Sequence, residues 1–108
     1  MGIELIRKQS EVLKEVCSLF EVDELSVFGS ILTSKFNPES DIDFVVSISS
    51  TDPIEYAENY FNLKFELEKI FERKIDLLEE RSIRNKVFKD LVNKQKAIVY
   101  ARGNKGMA

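Results

Sequence analysis

Two aspartates stand one residue apart in the segment "FGSILTSKFNPESDIDFVV", residues 28–46, where an apolar run begins. Side chains alternate between the two faces of a strand, so a strand here would place Asp41 and Asp43 on the same face. Their Cα atoms would lie roughly 6.5 to 7 Å apart, which lets both carboxylates reach one or two cations. Because like charges this close repel each other, the pair favours a divalent cation. The alternative is structural, with Asp41 capping the strand and Asp43 exposed on a sheet edge.

A third carboxylate, Asp76, lies in the apolar segment "RKIDLLEE", which predicts another strand. Taken alone, Asp76 could simply pair with Lys74 or Arg73. Beside Asp41 and Asp43, it would complete a three-carboxylate metal site. Such a site suits two-metal phosphoryl transfer, in which one ion activates the attacking oxygen and the other stabilises the leaving oxygen.

The pair Gly29-Ser30 precedes the aspartates, with ten residues between Ser30 and Asp41. Glycine lets the backbone approach a ligand closely, and a serine that starts a helical turn offers its hydroxyl and nearby amides to an anion. Phosphate is the anion that this chemistry suits. A Gly-Ser pair alone usually marks only a turn, but the pattern G-S-x10-D-x-D, followed by a strand and a later strand aspartate, is far more specific.

The composition limits which metal such a site could hold. The 108 residues include no histidine and one cysteine, Cys17. These counts nearly exclude the common zinc sites and rule out a disulfide within the chain. Oxygen ligands remain, and they favour magnesium, manganese or calcium. Cys17 lies on an apolar helical stripe, and we interpret it as a buried structural thiol.

The elements that must position these residues follow from hydrophobic periodicity. We predict one α/β (α+β) domain over residues 1–101, with a small mixed sheet flanked by helices, and a flexible tail over residues 102–108. Ser30 is expected to begin a helical turn, Thr51 or Asp52 to cap the second helix, and Tyr56 and Tyr60 to pack on the core. The predicted helices cover residues 3–20, 53–70 and 84–94, the strands residues 25–28, 42–48, 74–78 and 97–100, and a turn residues 37–40.

Charge is distributed unevenly along the chain. Residues 1–72 carry 6 Lys/Arg against 15 Asp/Glu, whereas residues 73–108 carry 10 against 4, within a net charge of -3. The basic part is either a set of solvated helix faces or a surface for phosphate or an acidic partner. With a sequence pI near 5.1, the chain lacks the basic character of a nucleic-acid binder, and we do not expect nucleic acid as a partner.

No signal peptide and no membrane-spanning run is apparent, so we expect a cytoplasmic protein without a membrane partner.

The segments "FGS", "SDIDFVV" and "KIDLL" resemble those of the minimal nucleotidyltransferase (MNT) domains in the DNA polymerase beta-like nucleotidyltransferase superfamily. The resemblance covers nearly the whole chain and implies a nucleotidyltransferase fold. It implies that Gly29 and Ser30 bind the nucleotide phosphates, that Asp41 and Asp43 bind metal, and that Asp76 is a third ligand and the candidate base. Many relatives carry an arginine shortly after the Gly-Ser pair, where this chain has "ILTSKF". Lys35 is the residue here that could take its place.

The resemblance also implies an activity and a partner. Proteins of this kind are commonly encoded beside a helical HEPN toxin, act as its antitoxin, and transfer AMP from ATP to a tyrosine of the toxin. We therefore expect an enzyme that uses Mg²⁺ and ATP and modifies a HEPN-type protein. Two alternatives remain: a catalytically silent MNT module that neutralises its partner by binding, or nucleotidyl transfer to a small molecule. The latter would need an added domain or the cleft of a homo-oligomer.

Overall fold

A computed structural model describes residues 2–104 of the protein, and these form helices packed on one mixed sheet. This arrangement confirms the predicted fold class. The helices are α1 (Gly2–Lys8), α2 (Ser10–Leu19), α3 (Pro53–Phe71) and α4 (Lys86–Gln95), and the strands are β1 (Val22–Phe28), β2 (Ile42–Ile48), β3 (Ile75–Glu79) and β4 (Ala97–Ala101).

The four strands lie in the order β3-β2-β1-β4. Strand β1 pairs antiparallel with both β2 and β4, whereas β2 and β3 run parallel. A parallel pair requires a crossover connection, and α3 supplies it. The parallel pair therefore brings two segments that are distant in sequence, each with an aspartate near its beginning, to the same end of the sheet.

The core lies on one face of the sheet, beneath α1, α2 and α3. Along β2 the residues that face it are Ile42, Phe44, Val46 and Ile48, all buried, and the Phe44 ring lies 6.0 Å from that of Phe71 in α3. Cys17 is fully buried in this core, which confirms its structural interpretation. Burial raises the pKa of its thiol to about 12. Strand alternation leaves the opposite face for Asp43, Val45 and Ser47.

Helix α3 begins at the predicted residue, Pro53, and ends at Phe71, one residue beyond the predicted end. The Asp52 carboxylate accepts a hydrogen bond from the Glu55 N–H at 3.0 Å, and Pro53 occupies the first turn. Glu72 ends the helix in the left-handed conformation, at φ 51°. Tyr56 is buried and Tyr60 partly buried, as expected of packing positions.

Several predicted elements differ from the structure, among them α4, which begins at Lys86, two residues later than predicted. The first helix is divided at Gln9, whose N–H donates to the Ile6 carbonyl in a tighter turn. Strand β1 begins at Val22, three residues earlier than predicted. Ser30 is not the first residue of its turn, because the 3₁₀ turn Gly29–Leu32 follows Phe28. Of the predicted apolar positions of α4, Val92 is buried, but Val87 is 79% exposed.

The predicted tail is described only at its beginning. Arg102–Asn104 form a 3₁₀ turn, in which the Arg102 guanidinium lies 3.3 Å from the Asp23 carboxylate and donates to Ser49 Oγ at 3.1 Å. The rest of the predicted tail, residues 105–108, lies outside the described residues. Within residues 2–104, the helices are too short or too polar to cross a membrane.

Candidate active site

Asp43 of β2 and Asp76 of β3 are paired directly in the parallel register. Their strand neighbours Phe44 and Leu77 are buried in the core, so both aspartates belong to the opposite face of the sheet. The structure thus brings together two carboxylates that are 33 positions apart in the sequence. Asp43 is half-buried, whereas Asp76 is exposed at the rim of the site.

The environment of Asp43 disfavours its ionised form. Burial raises the pKa of the Asp43 carboxyl above its ordinary value, and the negative charges of Asp76 and Asp41, with a hydrogen bond to Asp76, raise it further. A divalent cation would reverse this penalty, because an opposite charge favours the ionised carboxylate. Carboxylate oxygens are also the ligands that Mg²⁺ prefers. The donor set therefore fits a hard cation.

Gly29 lies against the Asp43 carboxylate. Its φ is +79°, and a Cβ at this position would be 2.5 Å from Asp43 Oδ2. Phe28, which precedes it, is the register partner of Asp43 across β1 and β2. Glycine is therefore required here both by the left-handed backbone and by the approach of the carboxylate. The structure thus places Gly29 beside Asp43, and a shared role in one site stays a prediction.

Ser30 and Lys35 belong to the segment that leaves this site. The Ser30 carbonyl accepts hydrogen bonds from the Thr33 N–H at 2.9 Å and the Thr33 hydroxyl at 2.8 Å. Lys35 is exposed, and its main-chain N–H donates to Thr33 Oγ1 at 3.1 Å. The contact that positions Lys35 is thus made by its backbone, and its side chain belongs to an exposed residue.

Asp41 lies just before β2 and is exposed. Its charge contributes to the raised pKa of Asp43, so the two groups are electrostatically coupled. Within the described range 2–104, however, no three acidic or cysteine side chains converge as a metal-binding group. The structure pairs Asp43 with Asp76 and leaves Asp41 at the margin.

A polar cavity of about 350 Å³ lies farther along the same face of the sheet and was not predicted from the sequence. Its walls include Val45 and Ser47, the next residues of β2 on the side of Asp43. Two ion pairs border it, Lys96–Glu24 at 3.0 Å and Arg102–Asp23 at 3.3 Å. These side chains come from β1, β2 and both ends of β4, so no local sequence pattern could reveal the cavity.

Tyrosines flank the β3 side of the site. The Tyr60 hydroxyl donates to the Leu77 carbonyl at 2.6 Å, and burial, followed by the charges of Glu79 and Asp76, raises the pKa of Tyr60. The Arg81 guanidinium lies 4.0 Å from the centre of the Tyr56 ring. Tyr60 therefore links the crossover helix α3 to β3, the strand that carries Asp76, through this hydrogen bond.

The family that the chain matches defines the class of the protein. Residues 9–102 match the nucleotidyltransferase domain family, and the chain belongs to it. The protein is a nucleotidyltransferase enzyme, which confirms the resemblance found in the Gly-Ser and Asp-x-Asp segments.

Two relatives from Methanocaldococcus jannaschii are named "Putative protein adenylyltransferase", MJ1379 and MJ1215. MJ1379 is 34% identical over 76% of this chain and 78% of its own length. MJ1215 is 34% identical over 74% of this chain and 86% of its own length. The resemblance to both relatives thus extends over most of the domain.

Solved structures share the fold at lower identity. A protein described as a minimal nucleotidyltransferase superposes with a TM-score of 0.73 at 22% identity, covering 90% of this chain and 95% of the other. A toxin–antitoxin structure with AMP-PNP gives 0.65 at 20% identity, covering 88% and 75%. A tri-AMPylated HEPN toxin from Shewanella oneidensis, in complex with an MNT antitoxin, gives 0.59 at 20% identity, covering 94% and 73%.

Proposed function

We propose that the protein transfers AMP from ATP to a hydroxyl group of a HEPN-type toxin, in a Mg²⁺-dependent reaction, and thereby acts as its antitoxin. The observation that carries this proposal is the pairing of Asp43 with Asp76 beside Gly29. The relatives named as protein adenylyltransferases support AMP transfer to a protein. The structural neighbours that contain AMP-PNP or an AMPylated HEPN toxin support the nucleotide and the partner.

The three carboxylates of Asp41, Asp43 and Asp76 would hold Mg²⁺. When bound, the ion would neutralise the triphosphate and the charge that develops during transfer. Gly29, which has no side chain, leaves the backbone open to the phosphates, and Ser30 would offer its hydroxyl to them. Lys35 would add a phosphate contact from the exposed segment, where its side chain can reach toward the nucleotide.

The transfer itself needs an oxygen nucleophile and a proton acceptor. The acceptor hydroxyl oxygen would form a bond to the α-phosphorus, and the bond from that phosphorus to the β-phosphate oxygen would break, releasing pyrophosphate. Asp76 would take the hydroxyl proton. Its exposure at the rim of the site suits this role, because a hydroxyl on another protein can approach it. Holding the two reactants in line would supply much of the acceleration.

A separate protein is the acceptor that fits this site best. The site includes the exposed carboxylate of Asp76 on the edge strand β3, which allows a large molecule to approach. We place the reaction in the cytoplasm, where ATP and magnesium are available.

The second candidate is a module that neutralises its partner by binding alone. One observation favours it: Asp41 stands apart from the paired carboxylates, and the described chain shows no converged metal-binding group. The two functions differ in stoichiometry. An enzyme can modify many partner molecules, whereas a docked inhibitor silences only those that it holds.

The test is incubation of the protein with a HEPN-type partner, Mg²⁺ and α-labelled ATP. We expect labelling of the partner and protection from its toxicity at well below one-to-one, both lost in the Asp41→Asn/Asp43→Asn double variant. The matched control is Glu11→Gln/Asp90→Asn, which removes the same charge from exposed positions on α2 and α4. Protection that tracks one-to-one and ignores ATP would support the binding module instead.

A further inference from the structure

Arg73, between α3 and β3, links the segment before Asp41 to the strand that carries Asp76. We infer that Arg73 is a positioning residue, which fixes the main chain ahead of Asp41 so that this carboxylate can join Asp43 and Asp76 on a cation. The inference rests on the proposed function, since it concerns the same metal site. In this role Arg73 acts through its hydrogen bonds to the main chain, and its positive charge does not contact the cation.

The contacts of Arg73 are directed at the backbone. Its Nη1 donates to the Ser40 carbonyl at 2.9 Å and to the Asn37 carbonyl at 3.2 Å. The guanidinium carbon lies 4.8 Å from the centre of the Phe36 ring. Hydrogen bonds from a charged donor are stronger than those between neutral groups. One partly buried side chain thus holds three residues of the segment that leads to Asp41.

Asp41 depends on this segment more than Asp43 does. Asp43 is fixed within the sheet, where it is paired with Phe28 on one side and Asp76 on the other. Asp41 lies outside β2, directly after the Ser40 carbonyl that Arg73 binds. On its other side, the Ile42 N–H donates to the Lys74 carbonyl at 3.2 Å. Both attachments of Asp41 therefore run to consecutive residues, Arg73 and Lys74, just before β3.

A positioning role and a purely electrostatic role predict opposite signs. A guanidinium near a cation site repels the cation, so loss of its charge alone would tighten metal binding. Loss of the two backbone contacts would release Asp41 and weaken metal binding. The contacts of Arg73 across residues 36–40 favour the second outcome.

The test uses Mn²⁺ alone, with binding followed by electron paramagnetic resonance. Arg73→Met keeps an apolar side chain against Phe36 but removes both donors, and we expect about three- to tenfold weaker binding, the loss that one or two net hydrogen bonds give. Arg73→Lys keeps a charged donor and should fall between wild type and Arg73→Met. Arg7→Met, on the exposed side of α1, is the charge-matched control and should bind as wild type does.

Equal or tighter Mn²⁺ binding in Arg73→Met overturns the inference. If that variant does not fold, Arg73→Lys decides, and binding equal to or tighter than that of wild type has the same consequence. In an Asp41→Asn background, Arg73→Met should change binding by less than about twofold, because coupled residues are not additive. If Arg73→Met weakened Mn²⁺ binding as much in the Asp41→Asn background as in wild type, Arg73 would not act through Asp41. A wild-type protein that binds no Mn²⁺ would instead refute the metal site of the proposed function, and the inference with it.

Discussion

Asp43 and Asp76 stand opposite each other on neighbouring parallel strands. Such a pair is unfavourable when both groups are ionised. Burial raises the pKa of Asp43, and the negative charge of Asp76 raises it further. A fold that needed only stability would gain from an uncharged residue at either position. A bound cation would offset the repulsion between the two carboxylates. The proposed site therefore predicts that a divalent cation stabilises the folded protein.

Asp43→Asn should weaken the binding of ATP in the presence of Mg²⁺ by about tenfold or more, since loss of one charged ligand costs more than about 1.4 kcal/mol. Isothermal titration calorimetry measures the change. Without metal, the same variant should melt no lower than wild type, because it removes a repulsive charge. Equal affinity for ATP would refute the assignment of Asp43 to the site, and a large drop in melting temperature would indicate a structural partner.

The pH dependence of stability should carry the signature of Asp43. Its pKa is raised in the folded protein above the ordinary value of 3.8, so the native state binds more protons than the unfolded state between those two values. Stability without metal should therefore fall as the pH rises through this window and stay lower above it. The melting temperature of wild type, measured relative to Asp43→Asn in EDTA, should show this decline. Parallel curves, or a relative rise with pH, would contradict it.

Added Mg²⁺ should reverse that decline near neutral pH, because a ligand that binds only the native state stabilises it. The same addition should leave the melting temperature of Asp43→Asn almost unchanged. A Mg²⁺ response of equal size in both proteins would place the ion elsewhere.

Much of the fold could be predicted from local sequence. The apolar run Ile42–Ile48 is β2 with the predicted bounds, and Asp52 and Pro53 mark the start of α3 through a capping bond and a fixed φ. These features depend on residues that are close together in the chain. The break at Gln9 could not be predicted, because the apolar spacing of α1 and α2 continues across it.

The site was only partly predictable for the same reason. Alternation along a strand places Asp43 on a face, but the register that pairs it with Asp76 depends on a parallel crossover and on distant packing, including the Tyr60–Leu77 hydrogen bond. Arg73 donates to main-chain carbonyl groups, which every residue has. The side-chain types of the sequence therefore could not predict its partners.

Ser26 provides a test of the sheet interior. Its side chain is 1% exposed, and Ser26 Oγ has no hydrogen-bond partner within residues 2–104. Ser26→Ala should therefore leave the free energy of unfolding unchanged or raise it by up to about 2 kcal/mol, since an unsatisfied buried hydroxyl is costly. Ser50 is the matched control, because its buried Oγ accepts from Asn59 Nδ2 at 2.8 Å. Ser50→Ala should lower the free energy of unfolding by about 1 kcal/mol in urea titrations, and a larger loss in Ser26→Ala would indicate a bound water.

Gly29→Ala should damage the site more than the fold. At φ +79°, an alanine costs roughly 1 to 2 kcal/mol, and its Cβ would lie 2.5 Å from Asp43 Oδ2, so the carboxylate must move. Gly103 separates the two effects, because its φ is +66° and a Cβ there meets nothing within 4 Å among residues 2–104. Both variants should lose similar stability in urea titrations, but only Gly29→Ala should weaken Mg²⁺-dependent ATP binding, by about tenfold if Asp43 is displaced. Equal ATP binding in the two variants would show that the contact between Gly29 and Asp43 does not shape the site.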